Sequence, residues 1–181
     1  KYNLMKIIQF NYKSVNSTND IAINLIKKKN IIAGCVFSEK QKKGRGQRGK
    51  KWISYKGNLF VSIFFSLKKI NLTLKQLTIL NAKLIIKLIS YYYQNKIKLK
   101  LPNDILIKKR KICGILQETV QKNDVTYLVI GIGLNLVKSP NIENCPTTNL
   151  YELTKKKLSA KKMTKELVFI YNDFLKIKKV F

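Results

Sequence analysis

The sequence of 181 residues contains no histidine. This absence excludes Ser-His-Asp and Cys-His catalysis and every metal site that uses an imidazole ligand. Cysteine is scarce too: Cys35, Cys113 and Cys145 lie far apart and form no C-x-x-C pair. Neither a disulfide framework nor a zinc knuckle is therefore indicated. Any chemistry must depend on lysine, arginine, aspartate and the backbone.

Long hydrophobic runs are also missing. Lysine or serine interrupts the apolar stretches within about ten residues, which is too short to span a bilayer. Residues 1–10 lack the pattern of a secretory signal peptide. We therefore expect a soluble, cytoplasmic protein without a membrane partner.

Acidic residues are few, with nine Asp and Glu against 37 Lys and Arg and a net charge of +28. Such a charge is typical of proteins that bind nucleic acid. Here the lysines run from Lys1 to Lys179 among abundant isoleucine and asparagine, a combination that AT-rich coding explains without a partner. We expect no specific nucleic-acid partner. A noncatalytic, basic nucleic-acid-binding protein is one alternative, although no aromatic RNA-binding motif or recognition helix is evident.

Arginine is rare, since only three of the 37 basic residues are arginines. Arg45 and Arg48 lie in the stretch KQKKGRGQRGKKW (residues 40–52), and Arg110 lies in KKRK. The planar guanidinium can grip a carboxylate or phosphate at two points, which lysine cannot do. Retention of arginine at these places predicts an anion-handling site.

Patterning predicts an ordinary single domain, residues 1–181. Strands are predicted at residues 7–10, 31–38, 58–67, 97–101, 105–107, 112–120 and 125–137. Helices are predicted at 21–29, capped by Ser17 to Asp20, at 74–94, near Leu150 and at 160–176. This order indicates an α+β fold with a mainly antiparallel mixed sheet and helices packed on one side.

The segment GRGQRG (residues 44–49) satisfies G-x-G-x-x-G, and with Lys50 and Lys51 it falls one residue short of a P-loop. Context excludes both interpretations, because a strand follows rather than a helix. No acidic residue occurs between Glu39 and Asp104, where a Rossmann domain needs one about 20 residues further on. We predict that its glycines and arginines bind an anion; a floppy surface loop is the alternative.

Three further elements are Lys100 to Asp104 (KLPND), Lys111 to Leu116 (KICGIL) and Gly131 to Asn135 (GIGLN). Taken singly, each element can be interpreted as a turn, a surface lysine or a strand bulge. Together with Ser17-Thr18-Asn19 and the GRGQRG loop with Trp52, in this order and spacing, they resemble the catalytic domain of biotin protein ligases over residues 8–137. That fold is similar to the class II aminoacyl-tRNA synthetases.

The resemblance implies that biotin and ATP, with Mg²⁺, form biotinyl-5'-adenylate, and that biotin then passes to a lysine of a biotin carboxyl carrier protein. It implies a monomer or a homodimer. The catalytic residues would be Lys111 and Arg45. The biotin-binding residues would be Ser17, Thr18, Asn19, Gln41, Gly44, Arg45, Lys111 and Gly114. The residues for ATP and the adenylate would be Arg45, Gln47, Arg48, Trp52, Asn103, Lys111 and Asn135, with Asp104 for Mg²⁺.

The chain also departs from the family pattern. Many relatives have arginine at the position of Gln47, where it helps to retain the adenylate, and tryptophan at the position of Leu101. No helix-turn-helix is predicted before residue 10, and the small SH3-like β-barrel that usually follows the catalytic domain is expected to be absent.

Two enzyme-related alternatives are open. A lipoate ligase or octanoyl transferase shares the fold and a lysine-centred site, but it typically has a Gly-Gly-Gly run and a His-Asp pair, which this sequence lacks. A degenerate ligase that folds without activity is the other.

Overall fold

A computed structural model describes residues 6–177. In chain order its elements are β1 (Ile8–Tyr12), α1 (Thr18–Lys29), β2 (Ala33–Ser38), β3 (Leu59–Ser66), α2 (Leu74–Ser90), β4 (Ile97–Lys100), β5 (Asp104–Ile107), β6 (Arg110–Lys122), β7 (Val125–Leu134), α3 (Leu150–Thr154) and α4 (Ala160–Ile177). Each predicted strand and helix corresponds to one of these elements. The predicted helix at 74–94 is too long, because the chain leaves the helix at Tyr91 in a tight turn whose amide bonds to Leu88 O.

The seven strands form one sheet in the order β1-β2-β3-β7-β6-β5-β4. β1 and β2 are parallel and are joined through α1, while every other neighbouring pair is antiparallel. Strands β4 to β7 form a meander. The predicted α+β fold with a mainly antiparallel mixed sheet is therefore confirmed.

The helices cover both faces of this sheet. Helices α2 and α4 pack on the face that carries Leu59, Val61 and Ile63 of β3, as predicted. Helix α1 departs from the prediction, because it packs on the opposite face against Phe64. The physical reason is that all eight residues of β3 are buried, so this central strand needs apolar cover on both faces.

Helix α1 covers only part of its face of the sheet. The covered part carries Val36, Phe64, Val120 and Val129. Further along β6 and β7, the same face carries Gly114, Gly131 and Gly133, because side chains alternate between the faces of a strand. The glycines leave space beside the first turn of α1, and the candidate site lies there.

The helices in residues 6–177 are all too short or too polar to cross a membrane.

The C-terminus of α1 is held by a lysine from the sheet. Lys122 Nζ donates to Ile26 O and Lys27 O, both at 2.7 Å, and to Asn30 Oδ1 at 2.5 Å. An ammonium group at a helix C-terminus satisfies free carbonyls and opposes the helix dipole.

We predict that Lys122→Met lowers the free energy of unfolding by about 1–2 kcal/mol, since it removes charged hydrogen bonds but keeps the aliphatic stem. Urea denaturation measures this change. Lys69→Met is the matched control, because Lys69 is exposed in a turn, and we expect its midpoint to equal that of the unchanged protein. Equal midpoints for both variants would contradict the capping role.

Candidate active site

Lys111 lies at a β-bulge. β5 pairs Ile105 with Cys113 but Leu106 with Lys111, so Ile112 is an extra residue on β6. A bulge re-aims the side chains next to it. The Lys111 side chain, which is 20% exposed, points into the site with Nζ 2.7 Å from Asp104 Oδ1. The contact is an ion pair with poor hydrogen-bond alignment, since Asp104 Oδ1 is buried without a well-directed donor.

The indole of Trp52 lies directly against two glycines of the sheet. Gly114 and Gly133 face each other across β6 and β7. A Cβ atom would come within 2.6 Å of the indole at Gly114 and 2.3 Å at Gly133. The Lys111 ammonium lies 5.5 Å from the Trp52 ring centroid. The indole N–H is buried and has no hydrogen-bond partner among the described residues.

The GRGQRG segment is an ordered hairpin rather than a floppy loop. Gly46 N donates to Lys50 O at 2.7 Å, and Trp52 N donates to Gly44 O at 2.9 Å. The tip is a 3-10 turn at Gln47–Gly49 in which Arg48 has a φ of 53°. Gly44 is required for close approach, because a Cβ there would lie 2.6 Å from Trp52 O.

The first turn of α1 forms the polar end of the site. Gln41 Oε1 accepts from Thr18 N at 2.8 Å and from Thr18 Oγ1 at 3.1 Å. Ser17 is the N-cap residue, but its side chain makes no capping bond, so Gln41 supplies part of the capping that was predicted for Ser17 to Asp20. Asn19 Oδ1 accepts from Ser62 Oγ at 2.5 Å, and a Cβ at Gly131 would collide with it.

Arg45 is bound by carboxylates of the protein itself. Its two terminal nitrogens donate to Glu118 at 2.8 Å each, and one of them lies 2.8 Å from Asp20. Asn19 Nδ2 also donates to Glu118, at 2.7 Å. Hydrogen bonding to Glu118 is the largest cause of the raised pKa of the Arg45 guanidinium. Arg45 therefore makes its two-point contact with Glu118 of the protein itself, and the binding of a ligand anion by this arginine stays a prediction.

These groups surround one cavity of about 610 Å³. Its lining includes all but one of the predicted site residues: Ser17, Thr18, Asn19, Gln41, Arg45, Gln47, Arg48, Trp52, Asn103, Asp104, Lys111, Gly114 and Asn135. The exception is Gly44, which is not part of the lining. A cavity of this size with a few polar groups is typical of a small-molecule site.

Comparison with known proteins shows the family of the chain. The model of the biotin/lipoate A/B protein ligase family matches residues 12–135, which is more than half of the chain. The chain belongs to the biotin/lipoate A/B protein ligase family.

Individual members of the family resemble the chain over different lengths. The bifunctional ligase/repressor BirA of Escherichia coli K12 is 32% identical over 124 residues, which are 67% of this chain and 38% of that protein. The biotin protein ligase of Aquifex aeolicus, solved with biotin and ATP, superposes with a TM-score of 0.79 at 26% identity, over 95% of this chain and 72% of that chain. Lipoate-bound LipL1 of P. falciparum has a TM-score of 0.60 at 12% identity, over 93% and 62% of the two chains. The last comparison shows a shared fold only.

Several residues of the site in this chain were not predicted from the sequence. Glu118 and Ser62 bind predicted site residues, and a second wall comes from the segment between β7 and α3, at Pro140, Ile142, Glu143, Asn144, Cys145 and Thr147. Glu118 is one of only nine acidic residues, but nothing in the sequence pairs it with Arg45. Neither Ser62 nor the second wall had a signal in one sequence.

Asn135 of the family's GIGLN element has a structural role here as well as a place in the lining. It is 1% exposed, and its Nδ2 donates to Thr148 O at 3.1 Å. Its backbone N donates to Ile112 O at 2.9 Å and its O accepts from Leu150 N at 3.1 Å. It therefore joins β6, β7 and α3 behind the cavity.

Residues 6–177 contain no cluster of three or more His, Cys, Asp or Glu that could hold a metal ion. Asp104 and Glu143 are the acidic residues of the cavity lining. Mg²⁺ commonly uses one or two protein carboxylates together with substrate phosphates, so the lining fits an ion that arrives with a polyphosphate rather than an all-protein metal site.

We predict that Gly133→Ala displaces Trp52 and shifts its fluorescence to longer wavelength. Trp52 is the one tryptophan of the sequence, so the emission reports this site alone. Gly131→Ala on the same strand is the control, because its methyl group would meet Asn19 rather than the indole. We expect the control to keep the original emission maximum; an unshifted Gly133→Ala would contradict the placement of the indole.

Proposed function

We propose that the protein is a biotin protein ligase. A carboxylate oxygen of biotin attacks the α-phosphorus of ATP, the bond to the β-phosphate breaks, and pyrophosphate leaves with the released electron pair. A lysine amine of a biotin carboxyl carrier protein then attacks the acyl carbon of biotinyl-5'-adenylate, AMP leaves, and the amine loses a proton. The observation that carries the proposal is the Lys111 ammonium inside a cavity lined by twelve of the other predicted site residues.

Lys111 suits the first half-reaction. The developing charge lies between the biotin carboxylate and the α-phosphate, and a fixed ammonium there stabilises the transition state more than the separated substrates. The bulge and the ion pair with Asp104 hold the lysine before the substrates arrive. No proton transfer by the protein is required in this step.

The polar end of the cavity suits the ureido ring of biotin. That ring carries both hydrogen-bond donors and an acceptor, and Thr18, Asn19 and Gln41 offer both kinds of group. Ser17, buried at the start of α1, completes this end. Leu116, which lies on the same face of β6 and lines the cavity, supplies an apolar surface for the rest of the ligand.

The arginine hairpin suits the adenylate. Arg48 and Lys50 are exposed on the cavity lining, and ion pairs among the described residues involve neither of them. Trp52 lines the same cavity, and we expect it near the adenine. Mg²⁺ bound to the ATP phosphates would reduce their charge, and Asp104 with Asn103 is the pair that would hold it.

Support for the choice of substrates comes from the relatives. The Aquifex aeolicus structure holds biotin and ATP, and the cavity lies on the same fold. An acidic carrier would be attracted by the net charge of +28. We propose a cytoplasmic location on the same basis as the function.

We predict that Lys111→Ala lowers biotin-dependent exchange of labelled pyrophosphate into ATP by roughly 100- to 1000-fold, the usual effect of removing one preorganised donor. Lys109→Ala, two residues away and exposed, is expected to keep the activity. Lipoate and octanoate are assayed in parallel. Exchange with either acid in place of biotin would favour the lipoate alternative, and no exchange with any acid would favour a degenerate ligase.

We predict that the unchanged protein releases biotinyl-adenylate into solution and that Gln47→Arg retains it. Arginine adds a charged donor where Gln47 lines the cavity, and charged hydrogen bonds are worth about 1.5–3 kcal/mol. Gel filtration after incubation with labelled biotin and ATP measures the retained fraction. Complete retention by the unchanged protein would show that Gln47 does not weaken the site.

A further inference from the structure

The third arginine, Arg110, lies outside the cavity lining but directly precedes Lys111. Its guanidinium donates to both carboxylate oxygens of Glu152 in α3, with one contact at 3.1 Å. Its Nε donates to Thr147 O at 2.8 Å. The hydrogen bond from Arg110 is also the largest cause of the lowered pKa of Glu152. One side chain thus joins β6, α3 and the segment between β7 and α3.

The backbone of Lys111 depends on the same segment. Because of the bulge, Lys111 does not continue a regular ladder with β5. Its N–H donates to Pro146 O at 2.8 Å, and its carbonyl accepts from Thr148 N at 2.9 Å. Both main-chain groups of Lys111 are therefore held by residues 146–148, which Arg110 holds through Thr147.

Glu152 completes the arrangement from α3. Its carboxylate accepts from Thr148 Oγ1 at 3.2 Å, and its backbone N–H donates to the N-cap side chain of Asn149 at 2.8 Å. A rigid helix start therefore positions the carboxylate that receives Arg110. Arginine is needed for this geometry, since lysine cannot donate to two carboxylate oxygens and a carbonyl in one plane.

We propose that Arg110 and Glu152 form a clamp that fixes Lys111 in the position required for catalysis. Neither residue lines the cavity, so they are positioning residues that act through the backbone of Lys111. The proposal rests on the ligase function proposed above.

The test is a double-mutant cycle in the full chain, measured as biotin-dependent pyrophosphate exchange. Since a displacement of about 1 Å can cost 100-fold in rate, we expect Arg110→Gln and Glu152→Gln each to lower kcat by roughly 10- to 100-fold. The KM values for biotin and ATP should change little, because the groups lining the cavity remain. In a Lys111→Ala background either substitution should have almost no further effect.

Two controls accompany the cycle. Lys109→Gln removes the same charge from a neighbouring exposed position and is expected to keep kcat. Arg110→Lys keeps the charge without the planar group, so its loss should be intermediate. An unchanged kcat in Arg110→Gln, or a full additional loss in the Lys111→Ala background, would overturn the proposal. If Glu152→Gln does not fold, the kcat values of Arg110→Gln and Arg110→Lys alone test the proposal.

A second readout separates the clamp from the ligase function. Amide hydrogen exchange of the ligand-free protein reports directly on the bonds made by Lys111 N and Thr148 N. We expect protection at these two amides to fall roughly tenfold or more in both clamp variants and to stay unchanged in Lys109→Gln, since local opening governs such exchange. If the unchanged protein shows no pyrophosphate exchange, the ligase function fails, while unaltered amide protection in the variants would overturn the clamp itself.

Discussion

The absence of side chains at paired positions of β6 and β7 is the constraint on which the site depends. Gly114 and Gly133 face each other, and Gly131 lies two residues away on the same face. Helix α1 covers the apolar part of that face and leaves this part uncovered. Any Cβ here would collide with Trp52 or with Asn19. The cavity therefore lies over the part of this sheet face that α1 leaves uncovered, where the Trp52 indole and Asn19 in the first turn of α1 pack directly on the glycines.

The distribution of carboxylates explains how a chain with net charge +28 builds a defined cationic site. Four of its nine acidic residues contact the basic groups in or beside the cavity: Asp104 contacts Lys111, Asp20 and Glu118 contact Arg45, and Glu152 contacts Arg110. Exposed lysines elsewhere contribute little to structure, since isolated surface ion pairs are weak. In this lysine-rich sequence, these four acidic residues together with Arg45 and Arg110 mark places where charge has a fixed position.

The strands, the order of the sheet's meander and the central lysine could be predicted because they depend on local patterns and on spaced motifs. The partner of Arg45 could not, because Glu118 is 73 residues away and the contact depends on register between α1, the hairpin and β6. The predicted position of α1 was wrong for a related reason. A continuous apolar strand such as β3 shows that both faces are buried, but it does not show which helix covers each face.

Contacts between residues far apart in the sequence also form the second wall of the cavity. Residues 140–147 contain no strand or helix pattern, and they reach the site because Lys111 binds their backbone and Arg110 binds Thr147. A main-chain interaction leaves no signature in residue type. The rarity of arginine indicated that Arg110 binds an anion, but its partner in α3 became visible only through the structure.

Without a ligand, carboxylates of the protein already occupy Arg45 and Lys111. Arg45 uses both terminal nitrogens on Glu118 and Asp20, so a ligand carboxylate gains a two-point contact only if Glu118 gives up its own. Glu118 would keep Asn19 as a donor, so its carboxylate would still have a hydrogen-bond partner after Arg45 turned to the ligand. Lys111 faces a similar exchange with Asp104. Two protein carboxylates thus stand where ligand anions are expected, and the affinity for those anions is the difference between two similar interactions rather than the full strength of either.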